Sequence, residues 1–328
     1  MDFHQIIGHE EIIRHFKSSI ETGRAGHAYI LCGEDDSGRK SLAFSYAKAL
    51  QCEKGEVDPC NVCPSCIKAD AGTHPDIITV HHEKPNLISV DEVREQVVQT
   101  MDIRPYNGKY KIYIIPDAQM MNDAAQNALL KTIEEPPAYG VVILITNSLE
   151  KLLPTILSRC VTLSLKPVRE RDVKEYLMEQ YGLDERKAHF CVEYAQGNLG
   201  KAVKLATNEE YEALVRSVIR LEKEIYDMDI EDIEEAIEAC IRYKLNIGEY
   251  LDLMMMWYRD ILMLKVTGKP DKVIFREEYS TLREQANYLS FNELEDKSRA
   301  IDNAKVRLNA NARLEDVMRL LIMTLKER

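Results

Sequence analysis

Five strand-length apolar runs punctuate the first half of this 328-residue chain and then cease: HAYILC (27–32), DIITVH (76–81), KIYIIP (111–116), VVILITN (141–147) and CVTLSL (160–165). They are nearly unbroken rather than alternating, as strands covered on both faces should be. Helix signals fall between them. One helix opens at Gly38, one follows Ser89 with Glu92 completing a capping box, and one follows Asn122 and stops before Pro136 and Pro137. Such alternation specifies an α/β domain, a parallel sheet with flanking helices, over 1–167. Beyond it only the helical period persists. Residues 168–208, punctuated by Gly182 and GNLG (197–200), read as a small helical lid, and 209–328 as an all-α C-terminal domain. A chain of this length exceeds one core, so roughly two or three domains are expected.

Composition narrows the classes of function. With 45% hydrophobic and 30% charged residues the chain reads as globular, and no apolar run approaches the roughly 20 residues of a membrane helix. The start, MDFHQIIGHEEII, is polar and acidic, unlike a secretory leader, so a cytoplasmic protein with no membrane partner is expected. A net charge of -12 argues against a chain that grips nucleic acid alone, because phosphate contacts need clustered Lys and Arg. Eight cysteines without a leader point to metal or buried thiols rather than disulfides.

Four of them cluster. Cys52, then Cys60, Cys63 and Cys66, give two overlapping C-x-x-C steps with a fourth thiol just before. That spacing can close around one tetrahedral Zn²⁺, with metal–sulfur bonds of about 2.3 Å. Four protein ligands leave no position for water, so the expected site is structural. Free thiols or a redox pair are the alternative, but EKGEVDPCNVCPSC is too polar to hold its shape unaided. Cys32, Cys160, Cys191 and Cys240 sit in apolar patterns that suit packing.

The stretch GEDDSGRKS, after the first strand, keeps Gly33 and Gly38 of a G-x-x-x-x-G-K-[ST] phosphate loop. Its Lys slot holds Arg39 and its hydroxyl slot Lys40. A displaced Lys40–Ser41 pair would swing off the phosphate line, since a helix turns about 100° per residue. The run KIYIIPDAQ has the form of a strand that should end in a Mg²⁺-holding carboxylate, yet Pro116 and Asp117 stand there. Losing the Lys, the hydroxyl and the carboxylate together removes most of what neutralises developing phosphoryl charge. Intrinsic ATP hydrolysis is therefore not expected, and no nucleotide cofactor is expected here, although the glycines and helix N-terminus could still accept an anion.

Arg159, in LEKLLPTILSRC, ends a short helix before the fifth strand. It reads either as a surface charge paired with a local carboxylate or as an arginine finger that reaches a neighbouring subunit's γ-phosphate. MMMWY (254–258) reads as core, since methionines fill irregular gaps.

In this order the pieces resemble the clamp-loader branch of the AAA+ family, and within it the bacterial DNA polymerase III subunits. The resemblance runs through IIGHEEI, GRAGHAYILCG, the cysteine cluster with AGTHPDI, DAAQNALLKTIEEPP, ITN, LPTILSRC and GNLGKA. It places Asn147 at the sensor-1 position and Gly200 at the sensor-2 position, where ATP-binding relatives carry Arg. Arg39, Lys40, Pro116 and Gly200 thus depart from the nucleotide-binding pattern. The resemblance implies a non-hydrolysing stator in a hetero-pentamer with gamma/tau and delta subunits. Arg159 would act in trans on ATP bound by a partner, as the sliding clamp is loaded onto primed DNA during replication. It also implies a zinc module at 52–66 and a collar formed by the C-terminal helices. There RLNANARLEDVMRLL (307–321) resembles the collar helix, with Leu308, Leu314, Val317, Leu320 and Leu321 toward packing surfaces. The alternatives are a gamma/tau-type ATPase with an atypical phosphate loop and a stand-alone zinc-containing scaffold.

Overall fold

A computed structural model describes residues 2–84 and 86–327, without the side chain of Leu245. Two compact units divide the chain. One runs to Gln180 and includes Ala195–Ala202; the other takes Tyr181–Tyr194 and the chain from Val203 on.

The first unit is built on a five-stranded sheet of order β2-β3-β4-β1-β5, every pairing parallel. Its strands are β1 (Ala28–Cys32), β2 (Ile77–Thr79), β3 (Lys111–Ile115), β4 (Gly140–Thr146) and β5 (Val161–Ser164). Around them lie α1 (Glu10–Glu21), α2 (Arg39–Leu50), α3 (Pro64–Asp70), α4 (Val90–Val93), α5 (Gln99–Met101), α6 (Asp123–Glu134), α7 (Pro154–Leu157) and α8 (Glu170–Tyr181). A π-turn, Arg94–Val98, joins α4 to α5. The three expected helix starts hold: Gly38 precedes α2, Ser89 with Glu92 makes the capping box of α4, and the Asn122 side chain accepts from the Ala125 amide at the start of α6.

The unbroken apolar runs are explained by two cores. Ile30, Tyr113, Ile115, Val142 and Leu144 face Val93, Val97, Leu129 and Ile133 on one side of the sheet. Their neighbours Tyr29, Leu31, Ile112, Ile114, Val141, Ile143 and Ile145 face Phe16, Leu42, Tyr46 and Ala47 on the other. Burial on both faces applies to β1, β3 and β4 only. The outer strands correct the expectation: β2 is half-buried and β5 largely exposed, because each has a neighbour on one side alone.

In the second unit α11 (Glu209–Glu224) to α16 pack around Trp257, Tyr258, Leu251, Met254 and Ile261, all buried. The intervening helices are α12 (Ile230–Arg242), α13 (Ile247–Thr267), α14 (Tyr279–Tyr288) and α15 (Phe291–Asn309), with α16 at Leu314–Lys326. Two further helices, α9 (Glu185–Ala195) and α10 (Leu199–Thr207), precede them. Of the MMMWY segment, Met254, Trp257 and Tyr258 are core and Met255 and Met256 half-buried, with the Trp257 indole donating to Gln285 Oε1 at 2.8 Å. Residues 307–321 do not form one helix. Asn311 adopts a left-handed conformation (φ 61°), so α15 ends and α16 restarts after a turn. With the register reset there, Val317 and Leu321 are buried as expected and Leu308 and Leu314 partly so, but Leu320 points outward, 48% exposed. Met318, Ile322 and Leu325 fill the core instead. Among the described residues no helix is long and apolar enough to cross a membrane.

Candidate functional site

In an open parallel sheet the carboxyl ends of the strands converge on one edge, where ligands of such folds sit. Here that edge gathers the Gly33–Gly38 loop after β1, Pro116 and Asp117 after β3, and Asn147 after β4. Gly38 caps α2 with φ 94°, a backbone that glycine adopts without strain. Gly33 is hemmed in, since a Cβ would stand 3.0 Å from both Leu165 Cβ and Ser37 Oγ.

The side chains that should face a phosphate face one another instead. Arg39, only 5% exposed, folds back and pairs with the carboxylate of Asp35, four residues earlier in the loop before α2. Asn147 donates its amide to the same carboxylate, 3.3 Å from Oδ2 and 3.5 Å from Oδ1. Lys40 points to solvent, 3.7 Å from the Asp117 carboxylate. Pro116 directly follows β3 and offers no oxygen from its side chain, while Asp117 sits in a left-handed turn (φ 52°).

The rest of the loop is tied in the same unit. Asn198 donates to the Asp35 carbonyl at 2.8 Å and to Glu34 Oε2 at 3.3 Å, and Lys201 approaches the same Glu34 oxygen at 3.4 Å. The Gly200 amide donates to the Asp36 carbonyl at 3.2 Å. A side chain at Gly200 has no room, because its Cβ would stand 2.7 Å from Asp36 Cβ. His9 Nε2 donates to the Ser37 carbonyl at 3.0 Å. Burial holds the His9 pKa below its usual value, which keeps the ring neutral. Sequence reasoning singled out Arg39, Lys40, Pro116, Asn147 and Gly200 but missed Asp35, Asn198 and His9. Helical spacing could not have found Asp35, which lies in the loop before α2 and meets Arg39 through the turn of that loop.

Arg159 stands at the end of α7, 39% exposed, with Nε 2.8 Å from Glu134 Oε1. Its Nη1 donates to the Thr155 carbonyl at 3.0 Å. The local carboxylate foreseen for this arginine is present, and the guanidinium still reaches solvent. Such half-exposed pairs contribute only about 0–1 kcal/mol, so a stronger anion can draw the arginine away.

The cysteine cluster lies between α2 and β2, apart from the loop in sequence. The four sulfurs of Cys52, Cys60, Cys63 and Cys66 lie within 4.8 Å of one another. That is the scale set by a tetrahedron with bonds of about 2.3 Å. The Cys60 and Cys66 amides donate to Cys52 Sγ and Cys63 Sγ, each at 3.4 Å, which suits thiolates. The Val62 amide brings the Cys60 thiol down to about 6, whereas burial pushes Cys66 up. The four residues therefore fit a metal such as zinc. Around them, the buried Lys48 of α2 donates to Asn61 Oδ1 at 2.6 Å and pairs with Asp70. Ser65 Oγ donates to the Gln51 carbonyl at 2.6 Å. Cys191 and Cys240 are buried and Cys32 and Cys160 half-buried; burial raises all four thiol pKa values.

Residues 8–169 match the protein family described as DNA polymerase III, delta subunit. Over 314 residues the chain is 29% identical to DNA polymerase III subunit delta' of Bacillus subtilis, covering 94% of each. It is 28% identical over 309 residues to subunit tau of the same organism, covering 86% of this chain and 54% of tau, so it spans about half the length of that relative. A gamma subunit-related protein of Thermotoga maritima superposes with a TM-score of 0.46 at 19% identity, over 96% of this chain and 99% of that one. By these sequence matches the chain is similar to subunits of DNA polymerase III, the family that its motifs resemble.

Proposed function

We propose that this chain is the non-hydrolysing stator of a clamp loader, the role of a delta' subunit. It would sit at one end of a hetero-pentamer with gamma/tau and delta subunits, and Arg159 would complete the ATP site of the adjacent gamma/tau subunit. ATP bound by those partners would then drive opening of the sliding clamp and its placement on primed DNA. Residues 168–208 would serve as lid and 209–328 as collar, and the cysteines would hold a structural Zn²⁺ in a cytoplasmic assembly.

The observation that carries this reading is an asymmetry between the carboxyl end of the parallel sheet, where Pro116 follows β3, and its opposite end, where Arg159 precedes β5. The chain's own site lacks a side-chain oxygen at Pro116, where a metal-holding carboxylate belongs, while Arg159 keeps a solvent-reaching guanidinium. Removing the metal ligand takes away the chief means of neutralising phosphoryl charge in cis. An arginine donated in trans supplies part of that neutralisation to a neighbour and is worth several orders of magnitude in rate.

The test is ATP turnover by the isolated chain and by the complex reconstituted with gamma/tau and delta. The isolated chain should give no steady turnover, and Arg159→Ala should lower DNA-stimulated turnover of the complex by more than about tenfold. Unchanged turnover of the complex removes the finger role. Steady hydrolysis by the isolated chain replaces the stator with a gamma/tau-type ATPase.

A further inference from the structure

We infer that Asp35 is an internal ligand: its carboxylate occupies the cationic seat of the degenerate phosphate loop and closes that seat to anionic ligands, di- and triphosphates above all. This deepens the reading that the chain leaves hydrolysis to a neighbour, and it is independent of Arg159.

A carboxylate and a phosphate oxygen ask for the same partners, charged N–H donors in a fixed fork and amide N–H groups. Arg39 and Asn147 are such partners, and both converge on one carboxylate. Arg39 is nine-tenths buried, and among the described residues its Nη1 has no hydrogen-bond partner. The neighbouring Ser37 Oγ is likewise buried and unpartnered among them. The seat therefore retains unused donor capacity beneath the carboxylate that covers it.

Asp35 is the movable half of the pair. Its side chain is 66% exposed while that of Arg39 is 5% exposed, so the acid lies over a fixed base. The backbone that carries it is held by Asn198 at the Asp35 carbonyl and by Gly200 at the Asp36 carbonyl, which keeps the carboxylate aimed. Glu34 and Asp36 flank it and add negative charge, but Glu34 is turned to Lys201 rather than into the seat. Simple repulsion by the loop and specific occupation by Asp35 thus make different predictions.

The experiment titrates the full-length chain with N-methylanthraniloyl-ADP and follows fluorescence anisotropy for the wild type, Asp35→Ala, Asp35→Ser, Glu34→Ala and the double variant Asp35→Ala with Arg39→Ala. Freeing the seat should raise affinity by roughly tenfold or more in both Asp35 variants, the gain expected of one released charge-assisted contact. Glu34→Ala should gain less than about threefold, since it removes charge without releasing Arg39. The double variant should lose the gain. A gain cannot come from misfolding, and the serine variant stands in should alanine fold poorly. Equal affinity in wild type and both Asp35 variants overturns the inference, as does an equal gain from Glu34→Ala. Turnover measured on the same samples separates the two readings: hydrolysis by any of them sinks the stator and not the internal ligand, and an Asp35 variant that binds no better sinks only the internal ligand.

Discussion

Arg159 Nε lies 2.8 Å from Glu134 Oε1, so the residue proposed to act in trans is parked against the end of α6 of its own chain. The side chains are 39% and 43% exposed, and solvent screens the pair. Arg159→Ala and Glu134→Gln should each change unfolding free energy by less than about 1 kcal/mol. Thermal melting of the two variants checks this. A large loss in either would make Arg159 a structural residue and confound its use as a probe of turnover.

Chelation should act locally. The four cysteines close a polar loop between α2 and β2, while the sheet packs through its own two cores. Purified chain should contain about one zinc per molecule, and a strong chelator should expose the amides of 52–66 to hydrogen exchange without melting the sheet. Cys66→Ser should do the same. Loss of the β1 and β4 amide protection at the same chelator level would show that the metal holds the whole domain.

Asp76 should be a stability residue of the first unit. It is 2% exposed, and its carboxylate accepts from the amides of Tyr106, Asn107 and Gly108 at 2.7, 2.9 and 3.1 Å. Asp76→Ala strands three donors at once and should cost about 2–4 kcal/mol, a fall of roughly 5–15 °C in melting temperature. Calorimetry reads it directly, and a shift under about 2 °C would mean that water replaces the carboxylate.

Glu222 should make the second unit weaker as pH rises. Burial pushes its carboxyl up from the usual 4.5 to about 8, and the facing Tyr258 hydroxyl and Lys297 ammonium only partly offset this. Lys297, itself lowered by burial, donates to the Leu325 and Glu327 carbonyls at 2.5 and 2.7 Å. Between those two pH values the folded state holds a proton that the unfolded state has released, so the slope of stability with pH is negative, at most about 1.4 kcal/mol per pH unit. The group's contribution is full below about 4.5 and lost above about 8. Glu222→Gln should flatten denaturant midpoints across that window, and an unchanged slope would assign the dependence to other groups.

Much of the fold was legible because it rests on local signals. Strand-length apolar runs, the Ser89–Glu92 box, the Asn122 cap and the cysteine spacing each depend on residues close in sequence. The errors came where packing overrides period. The covering of β2 and β5 depends on strand order, which no single strand encodes, and the exposure of Leu320 depends on a turn at Asn311 that resets the helical phase.

The sequence by itself determined the chemistry that is missing: a proline at 116, an arginine and a lysine at 39 and 40, and a glycine at 200 cannot supply what their side chains lack. It also determined which four thiols could share a metal, because short spacings leave few ways to separate them. Only the tertiary structure decided what the remaining groups do. Asp35 and Asn147 are 112 residues apart, and Asp35 and Asn198 are 163 apart. Asn147 arrives there because parallel strands deliver distant loops to one edge, and Asn198 because the start of α10 packs on the loop that carries Asp35; hydrogen bonding there follows distance in space, which the order of residues along the chain does not disclose.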